Sequence, residues 1–150
     1  LLNRYDLPPQ AIDFEITASL TTDTTYDFIR KMRQLKPLGV KLSIDDFGTG
    51  YSNLSYLKYY SADTIKIDRS FIMSIGTNDQ RSSDEKLTSA IISMAHSLDM
   101  DLVAEGVEND AQINFLTQMG CEVLQGFYFD RPLPAEAFEQ KYVIDQEANC

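Results

Sequence analysis

The sequence predicts an α/β fold in which helices cover a parallel sheet. Stretches with apolar residues at every second position alternate along the chain with stretches that have apolar residues at helical spacing. Such alternation of strands and helices is typical of parallel sheets. Hydrophobic residues make up 43% of the 150 residues, which is enough to supply a buried core. One compact domain is therefore expected.

Five segments have the pattern of strands. In the first of them, Ile12, Phe14 and Ile16 are apolar at every second position. The five predicted strands are 11–17, 40–46, 64–68, 101–105 and 123–129.

The segments between the strands predict helices. The first covers 24–38 and ends at Gly39. A short helix runs through Leu54 and Leu57, and the last predicted helix covers 135–142. Two longer helices begin at residue pairs with the spacing of a capping box, Ser82 with Glu85 and Asn109 with Gln112. The first of these two carries on one face Leu87, Ile91, Met94, Ala95 and Leu98, and the second ends at Gly120.

The alternation of strand side chains favours a closed barrel over an open, doubly wound sheet. Open parallel sheets are apolar on both faces. Here one predicted face is apolar and lies under the helices, with Phe14, Ile16, Leu42, Ile44, Ile65, Ile67, Leu102, Ala104 and Leu124. The opposite face turns polar toward the strand ends, with Glu15, Thr17, Ser43, Asp45, Lys66, Asp68, Glu105 and Gln125. Barrel active sites are built at the C-terminal ends of the strands.

The length of the chain limits how much of a barrel it can form. A closed eight-stranded barrel needs about 250 residues. Five strands in 150 residues therefore predict a partial TIM-like (β/α) barrel, about the last five of eight units. Residues 1–143 would form this domain portion, and 144–150 a tail.

The charge and the cysteines restrict the location and the partners. A formal net charge of −10 argues against binding nucleic acid or an anionic membrane surface, because both require a positive surface. No apolar run approaches the ~20 residues of a membrane span, and the N-terminus lacks the pattern of a signal peptide. Cys121 and Cys150 do not have the spacing of a metal site, and we interpret them as free thiols of a cytoplasmic chain.

The adjacent carboxylates Asp45 and Asp46 are the strongest sign of chemistry. They end a predicted strand just before a glycine-containing turn, and Glu15 and Glu105 end other strands on the same predicted face. Adjacent aspartates before a turn are often only a polar loop start. Crowded carboxylates, however, repel one another unless cations neutralise them, and paired acids can bind two metal ions ~3.5–4 Å apart, as in two-metal phosphodiester sites.

Lys66 lies among these acids and leaves two interpretations open. It could be a structural counter-ion, or it could orient a metal-bound water and stabilise charge on a phosphate. A Schiff-base role in an unrelated barrel lyase or aldolase is a third hypothesis, but it would not need the paired aspartates. The single histidine, His96, lies in a predicted helix and is interpreted as packed or solvated.

The ordered set of short motifs resembles the EAL domain family. The motifs are Glu-Ile-Thr at 15–17, Asp-Asp-Phe-Gly-Thr-Gly-Tyr-Ser at 45–52, Lys-Ile-Asp at 66–68, Ala-Glu-Gly-Val-Glu at 104–108 and Gln-Gly-Phe at 125–127. They cover the chain from about residue 1 to 138. The resemblance implies a TIM-like barrel that uses divalent metal, two Mg²⁺ or Mn²⁺ ions, to hydrolyse the bacterial second messenger cyclic di-GMP to linear pGpG. It also implies a homodimer in the complete protein.

The resemblance assigns roles to individual residues. Glu15, Asp45 and Asp46 match the metal ligands, and Lys66 matches the lysine that holds the catalytic water. Glu105 matches the glutamate that acts as general base or supports the second metal. A loop that links the metal site to the dimer interface matches Phe47, Gly48, Thr49 and Gly50 and continues to Ser52. Gln125 matches a further site residue, whereas Asp68 and Glu108 match motif positions without an assigned catalytic step.

The chain departs from the family pattern in two places. The Glu-Ala-Leu signature and the following asparagine ligand are absent, and we expect both to lie upstream of Leu1. For that reason we expect these 150 residues alone to have little or no phosphodiesterase activity. Inside the chain, Ala18 replaces a second glutamate that is thought to hold the loop at 47–52. This replacement favours an alternative function, a degenerate EAL domain that acts as a cyclic di-GMP receptor or a protein-interaction module.

Overall fold

The described part of the chain forms one five-stranded parallel sheet with helices packed on it. The computed structural model describes residues 2–17, 26–49, 57, 61–77 and 83–144. The strands are β1 (Asp13–Thr17), β2 (Lys41–Phe47), β3 (Thr64–Ile67), β4 (Asp101–Glu105) and β5 (Val123–Gln125). Each strand pairs in parallel with the next strand along the chain. This sequential order is that of a barrel wall, because a doubly wound sheet reverses its strand order at a switch point. The prediction of a partial barrel is confirmed.

Helices alternate with the strands, and the two short ones at Leu2–Tyr5 and Arg69–Ile72 were not predicted from the sequence. They are α1 (Leu2–Tyr5), α2 (Tyr26–Leu35), α3 (Arg69–Ile72), α4 (Asp84–Ser97), α5 (Asp110–Gln118) and α6 (Ala135–Glu139). Short 3₁₀ turns occur at Pro9–Ala11 and Lys36–Leu38, and a π-helical turn at Gln140–Ile144 follows α6. None of the helices in these described ranges is long and apolar enough to cross a membrane.

Caps and glycines set the boundaries of the helices. The capping box at α5 is confirmed, because the Gln112 N–H donates to Asn109 Oδ1 at 3.0 Å and Gln112 Oε1 accepts from the Asn109 N–H. Gly39 and Gly120 both have φ of 84°, a left-handed conformation that glycine adopts without strain, so they end their helical segments as predicted. Helix α4 begins at Asp84, after Ser83.

Several predicted residues fall outside the described part of the chain. They are Ala18, Thr24, Gly50 to Ser52, Leu54, Ser82 and the tail residues from 145 onward. Leu57 is described, and it is helical and buried.

The core lies between the outer face of the sheet and the helices. Ile44, Ile65, Ile67 and Ala104 of the strands are at most 1% exposed and pack with apolar residues of the helices. The predicted apolar face is confirmed for the central strands but not for Phe14, which is 46% exposed on the edge strand β1. An edge strand has a neighbour on one side only, so fewer elements can cover its outer face.

The predicted apolar face of α4 is confirmed in its centre and wrong at its ends. Ala95 is buried and Ile91 and Met94 pack against the core, whereas Leu87 and Leu98 are exposed. Thr88 and Ile92 are also buried, and positions i, i+4 and i+7 lie on one side of a helix, so the centre of the buried face is shifted by one residue from the prediction.

The fifth strand is shorter than predicted. It ends at Gln125, and Phe127, Tyr128 and Phe129 form a turn in which the Phe129 N–H donates to the Gly126 carbonyl. A Cβ atom on Gly126 would lie 2.1 Å from the carbonyl oxygen of Val107. This close approach, together with the Tyr128 N–H donating to the Val107 carbonyl, turns the chain across the end of β4 instead of extending the strand.

Cys121 belongs to the core, as the sequence predicts. Its side chain is 1% exposed at the start of the segment that leads into β5. Burial raises the pKa of the Cys121 thiol from 9.0 to about 11, against the opposing effect of hydrogen bonds with the backbone at Ala104 and Val123. The thiol therefore stays protonated and unreactive in the folded chain at neutral pH.

We expect Cys121 in a Cys150→Ser variant to react with a disulfide reagent at least about tenfold more slowly in the folded chain than in urea. The free energy of unfolding should also fall as the pH rises from about 9 to 11, because the unfolded thiol ionises in this range while the folded thiol does not. Thiol labelling and urea unfolding monitored by circular dichroism measure the two effects. Equal labelling rates in both states would contradict the burial of this thiol.

Candidate functional site

The ammonium group of Lys66 lies among three carboxylates at the C-terminal ends of the strands. Its Nζ atom donates to Glu15 Oε1 at 2.6 Å and lies 2.7 Å from Glu105 Oε1. Asp45 Oδ1 is 3.5 Å from the same nitrogen. The Lys66 side chain is only 11% exposed. The predicted convergence of Glu15, Asp45 and Glu105 is therefore found in the structure.

Strand register brings these four residues together. Thr17 of β1 pairs with Asp45 of β2, and Lys66 of β3 pairs with Val103 of β4. Parallel strands with sequential order have their carboxyl ends on the same rim, and alternation points every second side chain inward. The four charged side chains consequently share the inner face, while their apolar neighbours pack under the helices.

The carboxylates keep Lys66 charged. Burial acts to lower the pKa of Lys66, but hydrogen bonds to Glu105 and Glu15 and the charges of Glu105 and Asp45 outweigh it and raise the pKa above its ordinary value. The ammonium thus carries its proton throughout the neutral range. It is a fixed positive charge that can donate hydrogen bonds, and not an amine nucleophile.

The strand that carries the paired aspartates is irregular at that point. The register of β2 against β3 shifts between Ile44 and Phe47, and Asp46 adopts a left-handed φ of 53°. A bulge of this kind re-aims side chains and is common beside active sites. Asp46 is exposed, and its carbonyl accepts hydrogen bonds from the Thr49 N–H and hydroxyl. The two adjacent carboxylates therefore have different surroundings.

Among the described residues, none forms a hydrogen bond with the buried Oδ1 atom of Asp45. Its contact with Lys66 Nζ at 3.5 Å is an ion pair. A buried carboxylate oxygen without a partner is costly, and it calls for an explanation such as an ion. An all-oxygen set of acids suits a hard divalent cation.

Within the described residues, no group of three or more His, Cys, Asp or Glu side chains has the geometry to hold a metal ion. In this arrangement the ammonium of Lys66 provides the positive charge between the acids. The unsatisfied Asp45 oxygen and the all-oxygen donor set nevertheless fit a divalent ion, which the acids would bind beside the Lys66 ammonium.

The first two residues of the loop after the aspartates pack against the core. Phe47 is 4% exposed within the core cluster. Gly48 has φ of 101°, and a Cβ atom there would lie 2.6 Å from the ring of Phe71. Thr49 is exposed at the start of the turn. Phe47 therefore anchors the start of the loop in the core.

Gln125 lies beside the acidic cluster at the end of β5. It pairs in register with Glu105, and its side chain is exposed. Both residues line one groove, together with Arg69, Gly106, Glu108, Gly126 and Phe127. Gln125 is thus placed at the rim, as the sequence predicts.

The structure gives roles to residues that sequence reasoning left unassigned. The Asp68 carboxylate caps α3 by accepting from the Ser70 N–H at 3.0 Å. Glu108 pairs with Arg69, with Nη2 and Oε1 2.6 Å apart. Residues 66–68 form a recognised motif in the sequence, but nothing in the pattern indicates that the next residue, Arg69, would cross to the turn after β4.

Comparison with known proteins identifies the same family over most of the chain. The family model of the EAL domain matches residues 1–132. The signaling protein YkoW of Bacillus subtilis (strain 168) is 48% identical over 145 residues, which is 97% of this chain and 18% of YkoW. The chain thus spans about a fifth of the length of this relative.

Two solved structures to which the chain is similar are complexes with c-di-GMP. The chain is similar to the PaMucR phosphodiesterase in its c-di-GMP complex, with a TM-score of 0.84 and 44% identity over 91% of this chain and 54% of that one. It is also similar to Klebsiella pneumoniae BlrP1 in a manganese/cy-diGMP complex, with a TM-score of 0.73 and 34% identity over 87% of this chain and 33% of that one.

The sequential parallel strands, the lysine-centred acidic cluster and the match over residues 1–132 agree with one another. This chain belongs to the EAL domain family.

Proposed function

We propose that this chain is part of an enzyme that hydrolyses cyclic di-GMP to linear pGpG with two divalent ions, Mg²⁺ or Mn²⁺, in bacterial second-messenger signalling. The observation that carries the proposal is the Lys66 ammonium among Glu15, Asp45 and Glu105, beside an Asp45 oxygen that has no hydrogen-bond partner. The relatives named for cyclic di-GMP phosphodiesterase activity, and the neighbour crystallised with manganese and this nucleotide, support the substrate and the metal.

Glu15, Asp45 and Asp46 would hold the metal ions. These residues lie near the C-terminal ends of β1 and β2. A divalent ion bound there can relieve the repulsion between their like charges. Bound divalent ions would polarise the scissile phosphate and lower the pKa of a water molecule. The half-exposed side chain of Glu15 and the exposed Asp46 leave room for ligands from other parts of the complete protein.

Lys66 and Glu105 would act on the water and the phosphate. The Lys66 ammonium is permanently charged, so it can donate hydrogen bonds to a water molecule or to a phosphate oxygen that gains negative charge. Glu105 Oε1 accepts from Lys66 at 2.7 Å and is therefore held where it can take the proton of the attacking water. The raised pKa of Lys66 opposes a Schiff-base mechanism, which requires a neutral amine.

The complete protein would work as a homodimer in the cytoplasm. The support for dimerisation is the resemblance of residues 47–52 to the family loop that joins the metal site to the dimer interface. Phe47 and Gly48 pack against the core and α3, so movement of the loop would reach the strand that carries both aspartates.

A second candidate function is a receptor that binds cyclic di-GMP without rapid hydrolysis. One observation favours it: Ala18 stands where the family has a glutamate that holds the loop. Such a protein would keep the acidic cluster but position the loop poorly.

Replacing Asp45 by asparagine in the complete protein should reduce hydrolysis of cyclic di-GMP by about a hundredfold or more, because an anionic metal ligand becomes a neutral amide. Turnover is measured by chromatographic detection of pGpG with Mn²⁺. The free energy of unfolding should change little or increase, because repulsion among the carboxylates falls.

Asp27→Asn is the matched control for this experiment. Asp27 is an exposed acid on α2 that pairs with Arg30 and Lys31, away from the strand ends. The control should keep wild-type turnover. If Asp45→Asn also keeps it, Asp45 is not a metal ligand.

Ala18→Glu tests the receptor function. The change restores a charged hydrogen-bond partner for the loop, an interaction typically worth about 1.5–3 kcal/mol when sheltered. Turnover, or dimer affinity in analytical ultracentrifugation, should rise. Equal rates and equal dimerisation would show that the loop is held by other residues, whereas tight binding without turnover in both proteins would favour the receptor.

A further inference from the structure

Arg69 is the half-exposed cation of the acidic rim. It lies two residues after the end of β3, and its side chain is 50% exposed, compared with 11% for Lys66. Among the described residues, its guanidinium donates one hydrogen bond, from Nη2 to Glu108 Oε1 at 2.6 Å. A guanidinium has five N–H donors, so this contact leaves donors available to a ligand in the groove that Arg69 lines.

The backbone of the next strand fixes the position of Arg69. Gly106 follows Glu105 directly and has φ of 76°. A Cβ atom on Gly106 would lie 2.3 Å from Arg69 Cγ and 2.7 Å from Arg69 Cβ. The arginine stem therefore crosses directly over the turn after β4, in a place that only glycine leaves open. Glu108, which lines the same groove, pairs with the guanidinium.

The groove beside Arg69 is continuous with the proposed catalytic cluster. Its volume is about 190 Å³, and Glu105 and Gln125 line it together with Arg69. Ligand pockets for whole drug-sized molecules measure about 300–1,000 Å³, so this groove has room for one part of a dinucleotide. Arg131, another cation of this region, lies over the Phe127 ring at 4.5 Å. With Phe138 and Tyr142 it lines an adjoining groove, which shares Gln125, Gly126 and Phe127 with the Arg69 groove.

Charge identifies the part of the ligand that suits the groove. A cyclic dinucleotide carries two phosphodiester groups, and only one of them can lie at the reacting centre around Lys66. The second phosphate would otherwise face the carboxylates of the rim. Arginine recognises phosphate through paired N–H donors, and it does so better than lysine because its donors form a planar fork.

We propose that Arg69, held by Glu108 and seated on Gly106, binds the non-reacting phosphate of the cyclic dinucleotide. This inference rests on the proposed function. It makes Arg69 a residue for substrate affinity and for the choice of a two-phosphate substrate. The bond-breaking step does not require it.

The experiment compares two substrates in the complete protein with Mn²⁺. Cyclic di-GMP has two phosphates, whereas bis(4-nitrophenyl) phosphate has only the reacting one. Arg69→Ala should raise KM for cyclic di-GMP about tenfold or more, the effect of losing one charge-assisted contact. Its kcat/KM for bis(4-nitrophenyl) phosphate should stay within about twofold of wild type, because no second phosphate is present.

Two further variants make the test specific. Arg30→Ala removes an arginine that is paired with Asp27 on α2 at the same distance of 2.6 Å. This variant should keep the wild-type KM for cyclic di-GMP and the wild-type kcat/KM for bis(4-nitrophenyl) phosphate. Arg69→Lys retains the charge and the stem, so its KM for cyclic di-GMP should lie between those of wild type and Arg69→Ala. Circular dichroism confirms that each variant is folded.

An unchanged KM for cyclic di-GMP in Arg69→Ala overturns the inference. An equal loss on both substrates also overturns it, because Arg69 would then only support the turn that carries Glu105. If the wild type does not hydrolyse cyclic di-GMP, the proposed function fails, and the dissociation constant in EDTA takes the place of KM with the same expected tenfold change. A wild type that does not bind cyclic di-GMP overturns both proposals.

Discussion

The ammonium of Lys66 is the contact on which the rest of the site depends. Two like charges about 4 Å apart repel by roughly 4 kcal/mol at the effective dielectric near a protein surface, so a cation among the acids of β1, β2 and β4 offsets their repulsion. Lys66 of β3 supplies that cation at 2.6 Å from Glu15 and 2.7 Å from Glu105. The same contacts keep the lysine charged. Under the proposed function they would also place Glu105 for proton transfer, and the structural counter-ion and the catalytic donor would be the same group.

The barrel geometry makes this contact possible. Sequential parallel strands place their carboxyl ends on one rim, and alternation separates the apolar outer face from the charged inner face. Ile65 and Ile67 are fully buried on either side of Lys66, which anchors the lysine backbone in the best-packed strand. The charged side chains of the rim and the Arg69 groove lie beside this buried strand.

Sequence periodicity predicted the five strands and the convergence of the acids, because alternating apolar and polar positions mark both. It placed the exposed Leu87 and Leu98 on the buried face of α4 and gave β5 four residues too many, since packing against neighbours decides those details. Gly126 shows the reason: its contact is with the backbone of Val107, which lies far away in sequence. The pairing of Arg69 with Glu108 was out of reach for the same reason, because it joins residues 39 positions apart. The assigned roles of the metal ligands came from the family resemblance and remain proposals.

If the carboxylates around Lys66 bind divalent metal, as proposed, manganese anomalous scattering from crystals of the complete protein will locate the ion. We expect an anomalous peak within about 2.6 Å of an Asp45 oxygen, the range of oxygen ligands for such ions. Lys66 Nζ should remain within hydrogen-bonding distance of Glu105. Manganese bound elsewhere, with Asp45 still paired only to Lys66, would show that these carboxylates are not the metal site.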